Sequence, residues 1–505
     1  MGTASAHHAA RTVRRAVTLA LVLTLAVVGL APAPAASGQE AADYRDADYR
    51  SHDIDNYSRA RARMYAEAMD LDYHRAFASA CIDSQGRSVV QQANDLLSGR
   101  IYGGVGQATC WWSVGDAPGY YDANPHRVHF TARTGAKLQG HVWGTELPGP
   151  RPGVVLTTGS IQASDQMYWW AARALAAAGY VVFSFDVQGQ GQSETFSHEP
   201  GQFLPGTQNV PSQQDANFYD GTIDALRFFL STPDDPYVPV GWSDEDVAAA
   251  KAAGGDESMD WVNPGAGVLD RDNLGIAGHS LGARAVSNVQ MCSDEGELWR
   301  ELELCAGRPY PIRAVVGWDA LSGAVTPVVP GMSQQADGYF LFPTLSPQAN
   351  VDPESSLGAY RTWTERSDLD VFSYVVRAGT HIEWSQVPYT PATTYGVHMN
   401  TFYTVNWMNR WVATDRDVRR AAYEALLAGP LVDPDDPTRA AANYLSVRRL
   451  SGFRLTEPPP GRASRPRPSR VVQTSDIRRE YAGLSAIGDW AGANADTAGA
   501  FDPLP

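Results

Sequence analysis

Lysine is nearly missing from this chain. It occurs only at Lys137 and Lys251, so arginine supplies the positive charge. Basic residues are outnumbered by acidic ones, 40 against 56, and the formal net charge is −16. A surface of that sign repels phosphate backbones, which argues against a nucleic-acid partner. Cysteine is also scarce: there are four, none in a C-x-x-C spacing. That excludes the usual zinc and thioredoxin-like patterns and fits disulfides in an oxidising compartment. Three connectivities are open, and local pairing favours Cys81 with Cys110 and Cys292 with Cys305. The main apolar run, Ala16–Leu30, is too short to span a bilayer comfortably. No internal repeat of solenoid or propeller period occurs.

The same apolar run has another reading. Arg11, Arg14 and Arg15 precede it, and Ala33-Pro34-Ala35 follows as a small-x-small site. Residues 1–36 therefore read as a cleaved export signal, with a secreted product and no stable membrane insertion afterwards. Arg14-Arg15 hints at twin-arginine export, but Ala16-Val17 continues it poorly, so ordinary secretion is preferred. The remaining chain has 44% hydrophobic and 19% charged residues in a total of 505, which describes a globular protein.

Residues 37–124 read as an N-terminal extension, with helix-forming stretches at Arg59–Ala80 and Gln91–Leu97. It is too short for a β-propeller. His126–Ala132 and Lys137–Trp143 form a predicted hairpin around Arg133-Thr134-Gly135-Ala136. His126 and His129, three apart on a strand, point to opposite faces and make a poor metal site. Short apolar runs at Gly153–Thr157, Tyr180–Phe185, Leu274–Ala277, Ile312–Gly317 and Val371–Arg377 predict strands buried on both faces. Predicted helices lie at 165–178, capped by Ser164, and at 215–230, 283–291 and 396–412. Val325–Met332 is a weak extended segment interrupted by Pro327 and Pro330. Strands alternating with helices define the expected fold class: α/β, a mostly parallel central sheet with helices on both faces. The expected catalytic domain spans 125–415, with residues 232–271 as an insertion near the site mouth. Residues 416–456 read as a helical C-terminal part, 457–470 as a Pro/Arg linker and 471–505 as a tail with a short helix.

One stretch concentrates the chemistry. Leu274–Ala277 leads into Gly278-His279-Ser280-Leu281-Gly282 and then a helix. A serine at the apex of so sharp a turn needs small residues two before and two after it. A serine hydroxyl is a weak nucleophile until a base takes its proton and an acid orients that base. His381, just past the last predicted strand, is the candidate base, with His398 as runner-up. Asp337 is the leading acid candidate and Asp319 the alternative. Oxyanion donors are expected at the Leu281 N–H and in the turn after Gly153–Thr157, at Ser160 or Ile161. Trp169, Trp170, Trp318, Tyr339, Phe340 and Trp384 lie near strand ends, where they line either an acyl pocket or the core. The turn Gln188–Ser193 is glycine-rich but has the wrong spacing for a dinucleotide fingerprint.

These residues bring 125–415 into resemblance with the α/β-hydrolases, in particular secreted bacterial members of the dienelactone hydrolase, lipase and cutinase type. Gly-His-Ser-Leu-Gly is a frequent lipase/esterase elbow. Tyr180–Ser193 is similar to the family's D-x-R-G-x-G-x-S segment, with Gln188 where arginine is usual. Thr158-Gly159 stands where many members carry His-Gly. The resemblance implies a Ser-Asp-His triad, no cofactor or metal, and hydrolysis of a small-molecule, lipid or polymer ester. Alternatives on the same fold are a secreted serine peptidase or amidase, an acyltransferase, and a non-catalytic binding protein.

Overall fold

A computed structural model describes residues 125–160, 164–191, 193–194, 197–200, 215–253, 259–295, 298–319, 342–349, 369–376, 381–385, 394–428, 452–456 and 472–476. The export signal, the N-terminal extension with Cys81 and Cys110, Ile161, Val325–Met332, Asp337, Tyr339, Phe340 and the 457–470 linker lie outside these residues.

The hairpin forms as β1 (His126–Thr131) and β2 (Lys137–Trp143), antiparallel, turning at Gly135 with φ 83°. The apolar runs become β3 (Arg151–Thr157), β4 (Val181–Phe185), β5 (Leu269–His279), β6 (Ile312–Trp318) and β8 (Val371–Val376). With β7 (Thr344–Ala349), β9 (Gly452–Thr456) and β10 (Val472–Asp476) they make one mixed sheet. Its order is β1-β2-β4-β3-β5-β6-β7-β8-β9-β10. The central strands from β4 to β8 run parallel, and the flanking pairings are antiparallel. Parallel strands have both faces covered, which is why most of these segments are dominated by apolar residues.

Helices cover both faces. The first begins as a 3-10 turn at Asp165–Tyr168 and continues as α1 (Trp169–Ala177). Ser164 caps it, its Oγ accepting from the Gln166 N–H at 3.3 Å. The others are α2 (Asp215–Phe229), α3 (Asp244–Ala253), α4 (Leu281–Val289), α5 (Thr394–Trp411) and α6 (Arg416–Ala428). On one face Leu156, Ala277 and Val316 pack with Leu175 of α1, Tyr403, Trp407 and Met408 of α5, and Leu426 of α6. On the other, Val155, Ile276 and Val315 pack with Phe218, Ile223 and Leu226 of α2 and Val286 of α4. Adjacent residues of one strand serve opposite cores, as the pleat requires. Cys292 and Cys305 form a disulfide just beyond α4.

Three features depart from the sequence expectations. β7 was not expected, because Pro347 and Ser346 interrupt its apolar pattern. It fits because its pairing with β6 involves only Thr344 and Leu345, so the missing Pro347 N–H is not needed on that side. The 416–456 segment is helical at α6 but ends in a strand. Arg454 there donates to the Leu369 carbonyl, and Thr456 Oγ1 donates to Asp370 at 2.6 Å. The tail likewise supplies β10, an antiparallel partner of β9, and the remainder of the tail, with its expected short helix, lies outside the described residues. Within 232–271, the Tyr237 hydroxyl donates to Thr131 O and the Arg151 N–H to Val268 O. These contacts bind the segment to the β1–β2 hairpin and to the start of β3, just before the segment enters β5, whose other end leads to Ser280.

Phe183 sits within contact of Phe130, Phe185, Phe228 and Phe229, at ring-centroid distances of 5.4–5.8 Å. Phe183→Ala empties the middle of that cluster and is expected to cost about 3–5 kcal/mol. Chemical denaturation checks this; a loss below about 1 kcal/mol would contradict the packing described.

Candidate active site

Ser280 joins β5 to α4 with φ 56° and ψ −121°, a left-handed φ for a side-chain-bearing residue. Two glycines make the bend possible. A Cβ on Gly278 would lie 2.3 Å from the Gly282 carbonyl oxygen, and one on Gly282 would lie 2.4 Å from both the Thr157 and Thr158 carbonyl oxygens. The Ser280 N–H donates to Trp318 O at 3.1 Å, so the bend is tied to the end of β6.

The residue after β6 is Asp319, itself at φ 52°. Its N–H donates to Pro347 O of β7 at 3.0 Å. Its carboxylate, with the side chain only 5% exposed, receives the His381 Nδ1–H at 2.7 Å. The His381 side chain is 52% exposed. A second His–Asp pair, His141 and Asp165, has the same 2.7 Å spacing. There the side chains are 5% and 0% exposed, and Ser184 donates to the same carboxylate oxygen at 2.7 Å. That pair is sealed in the interior and cannot meet a substrate. Exposure separates the two.

The turn after β3 lies beside the elbow. The Gly159 N–H is taken up by the Tyr168 hydroxyl oxygen at 3.1 Å. The Gly159 N–H is thus engaged, and the next residue, Ser160, is half-buried. The turn is held from β4 as well, since the Asp165 N–H donates to Asp186 Oδ1 at 2.6 Å. Gly191 belongs to that support: a Cβ there would lie 2.3 Å from Asp186 Oδ2. Leu281 opens α4, so its N–H belongs to the free first turn of a helix.

The structure thus brings Ser280, Leu281, Ser160 and His381 to one end of the parallel strands. The carboxylate it sets against His381 is Asp319, the alternative in the sequence, while Asp337 lies outside the described residues. His398 falls within α5. Trp169, Trp170, Trp318 and Trp384 are buried in the core rather than lining an open pocket. Sequence reasoning missed Tyr168 and His279. His279 occupied the variable position of the elbow, and Tyr168 sat in a stretch read simply as helix. Only the fold puts them in contact, hydroxyl to Nδ1, at 2.9 Å. Among the described residues no group of three His, Cys, Asp or Glu is arranged to hold a metal ion, and no helix is long and apolar enough to cross a membrane.

No protein-family model matches this chain, and no curated protein matches it.

Burial, and then the nearby His381 charge, hold the His279 pKa well below the ordinary 6.5. The folded protein keeps this ring neutral while the unfolded chain protonates it below about pH 6.5. Its contribution is thus complete above that pH and lost as pH falls towards the folded value. Relative to His279→Gln, the wild type should lose up to about 1.4 kcal/mol of stability per pH unit between 6.5 and 5. Asp220, whose carboxyl is pushed up to about 6 by burial, titrates with the opposite sign and cancels in the comparison. Urea unfolding of both proteins at pH 7, 6 and 5 measures the difference; a constant gap would show an ordinary histidine.

Proposed function

We propose that this chain is a secreted serine hydrolase of the α/β-hydrolase type that cleaves carboxylic esters. The observation that carries this reading is the His381–Asp319 pair, whose histidine is half exposed, together with Ser280 in a left-handed bend tied through its N–H to Trp318, the residue before Asp319. The chain order Ser280, Asp319, His381 and the arrangement of a strand, a sharp turn and a helix support the same class. The Cys292–Cys305 disulfide supports an oxidising compartment.

In this mechanism Ser280 Oγ attacks the acyl carbonyl carbon as His381 Nε2 accepts its proton. Asp319 stabilises the imidazolium through Nδ1–H. The Leu281 and Ser160 N–H groups take the developing oxyanion, each donor contributing about 3 kcal/mol to transition-state stabilisation. The alcohol departs with the proton held by His381. Water then attacks the acyl carbonyl carbon and gives a proton to His381, which passes it to Ser280 Oγ as the acyl C–O bond breaks, releasing the carboxylic acid and free Ser280. Asp319 fills the role for which Asp337 stood first in the sequence.

A panel of acyl esters of graded chain length, with peptide amides alongside, tests the reading. Ester turnover should disappear in Ser280→Ala, and a fluorophosphonate should label Ser280 alone. Turnover surviving in Ser280→Ala moves the site elsewhere, and amide turnover without ester turnover makes the chain a peptidase or amidase. Asp319→Asn should lower kcat about 10,000-fold. If Asp337→Asn proves the costlier change, the acid is Asp337.

A further inference from the structure

We propose that His279, the residue before the nucleophile, is a positioning residue for His381, and that Tyr168 orients it. This rests on the hydrolase reading above. The His279 ring is buried between two partners: Nε2 lies 2.7 Å from the His381 carbonyl oxygen and Nδ1 lies 2.9 Å from the Tyr168 hydroxyl. Tyr168 in turn lies 3.1 Å from the Gly159 nitrogen.

Elementary donor rules fix the direction of every bond. A carbonyl oxygen only accepts, so the proton of His279 is on Nε2. Nδ1 then carries a lone pair and accepts from the Tyr168 O–H. The Tyr168 oxygen is left to accept from the Gly159 N–H. A neutral ring satisfies each group once. A doubly protonated ring would leave the Tyr168 hydroxyl proton without an acceptor inside the protein, which is costly.

The consequence lies in what the chain of bonds connects. Gly159 belongs to the oxyanion turn, His279 to the elbow, and His381 is the base. Asp319 grips the His381 ring, while His279 grips the backbone from which that ring hangs. A further hold comes from Trp170 Nε1, which donates to Trp384 O at 2.9 Å at the other end of the same short turn. The His279 and His381 rings approach to 4.7 Å between centroids. Fixing both ring and backbone keeps Nε2 of His381 in line with a serine one residue away from the clamp itself. Misplacement of a reacting group by about 1 Å costs on the order of 100-fold in rate.

The test compares His279→Gln, His279→Asn and Tyr168→Phe, with thermal melting to verify folding. Glutamine carries an amide N–H out to the place of Nε2, whereas asparagine reaches only the place of Nδ1. His279→Asn should lose about 100-fold in kcat with KM nearly unchanged, and His279→Gln should recover to within about 10-fold of wild type. Tyr168→Phe, which removes one atom, should lose about 10-fold in kcat, again with KM unchanged. Equal rates for the glutamine and asparagine variants, or losses confined to KM, overturn the proposal. If His279→Asn does not fold, Tyr168→Phe decides: wild-type kcat there overturns it. Fluorophosphonate labelling of the wild type is scored separately. An unlabelled wild type that turns over neither ester nor amide defeats the hydrolase reading and takes this proposal with it. A labelled wild type with kcat undisturbed in all three variants defeats this proposal alone.

Discussion

Backbone crowding at the end of β5 governs the arrangement of everything around Ser280. The elbow presses against the turn after β3 so closely that the Cα of Gly282 faces two carbonyl oxygens with no space for a methyl group. Gly278 meets Gly282 in the same way. That contact lets a serine adopt a left-handed φ and points α4 at the strand ends. It also draws the turn after β3 against the elbow, where Tyr168 and His279 then lock the two together. Either glycine replaced by a larger residue would push apart parts that otherwise touch through backbone alone.

Burial does a different kind of sorting. The interior holds a His–Asp–Ser group, His141 with Asp165 and Ser184, made of the same side-chain types as the candidate site. Distance does not separate it from His381 and Asp319. Solvent does: one imidazole is sealed between β2 and the start of α1, while the other is half exposed above the sheet. The sealed group supports the turn after β3, because Asp165 also anchors its own backbone N–H on Asp186. The same side-chain types are thus sealed in one place and reach solvent in the other.

The sheet centre was legible in the sequence because strands covered on both faces need apolar runs, and β3, β4, β6, β8 and the second half of β5 are each mostly apolar. The elbow was legible because its glycines are sterically obligatory. β7 was not, since Pro347 masks its pattern and two long-range pairings hold it. β9 and β10 were read as helical part and tail because each is five residues long and becomes a strand only by pairing. The carboxylate was the hardest element. Asp319 and Asp337 both lie between Ser280 and His381 in chain order, and strand adjacency, invisible in one dimension, is what sets Asp319 against the ring.

That adjacency has a consequence for how such a chain can change. Ser280 and Asp319 leave neighbouring strands that are hydrogen-bonded rung by rung, so their separation is set by the spacing of two strands in a sheet. Insertions or deletions between Asp319 and His381 leave that spacing untouched. The polypeptide between Asp319 and His381 can therefore diversify in length and composition while Ser280 and Asp319 keep a constant interval.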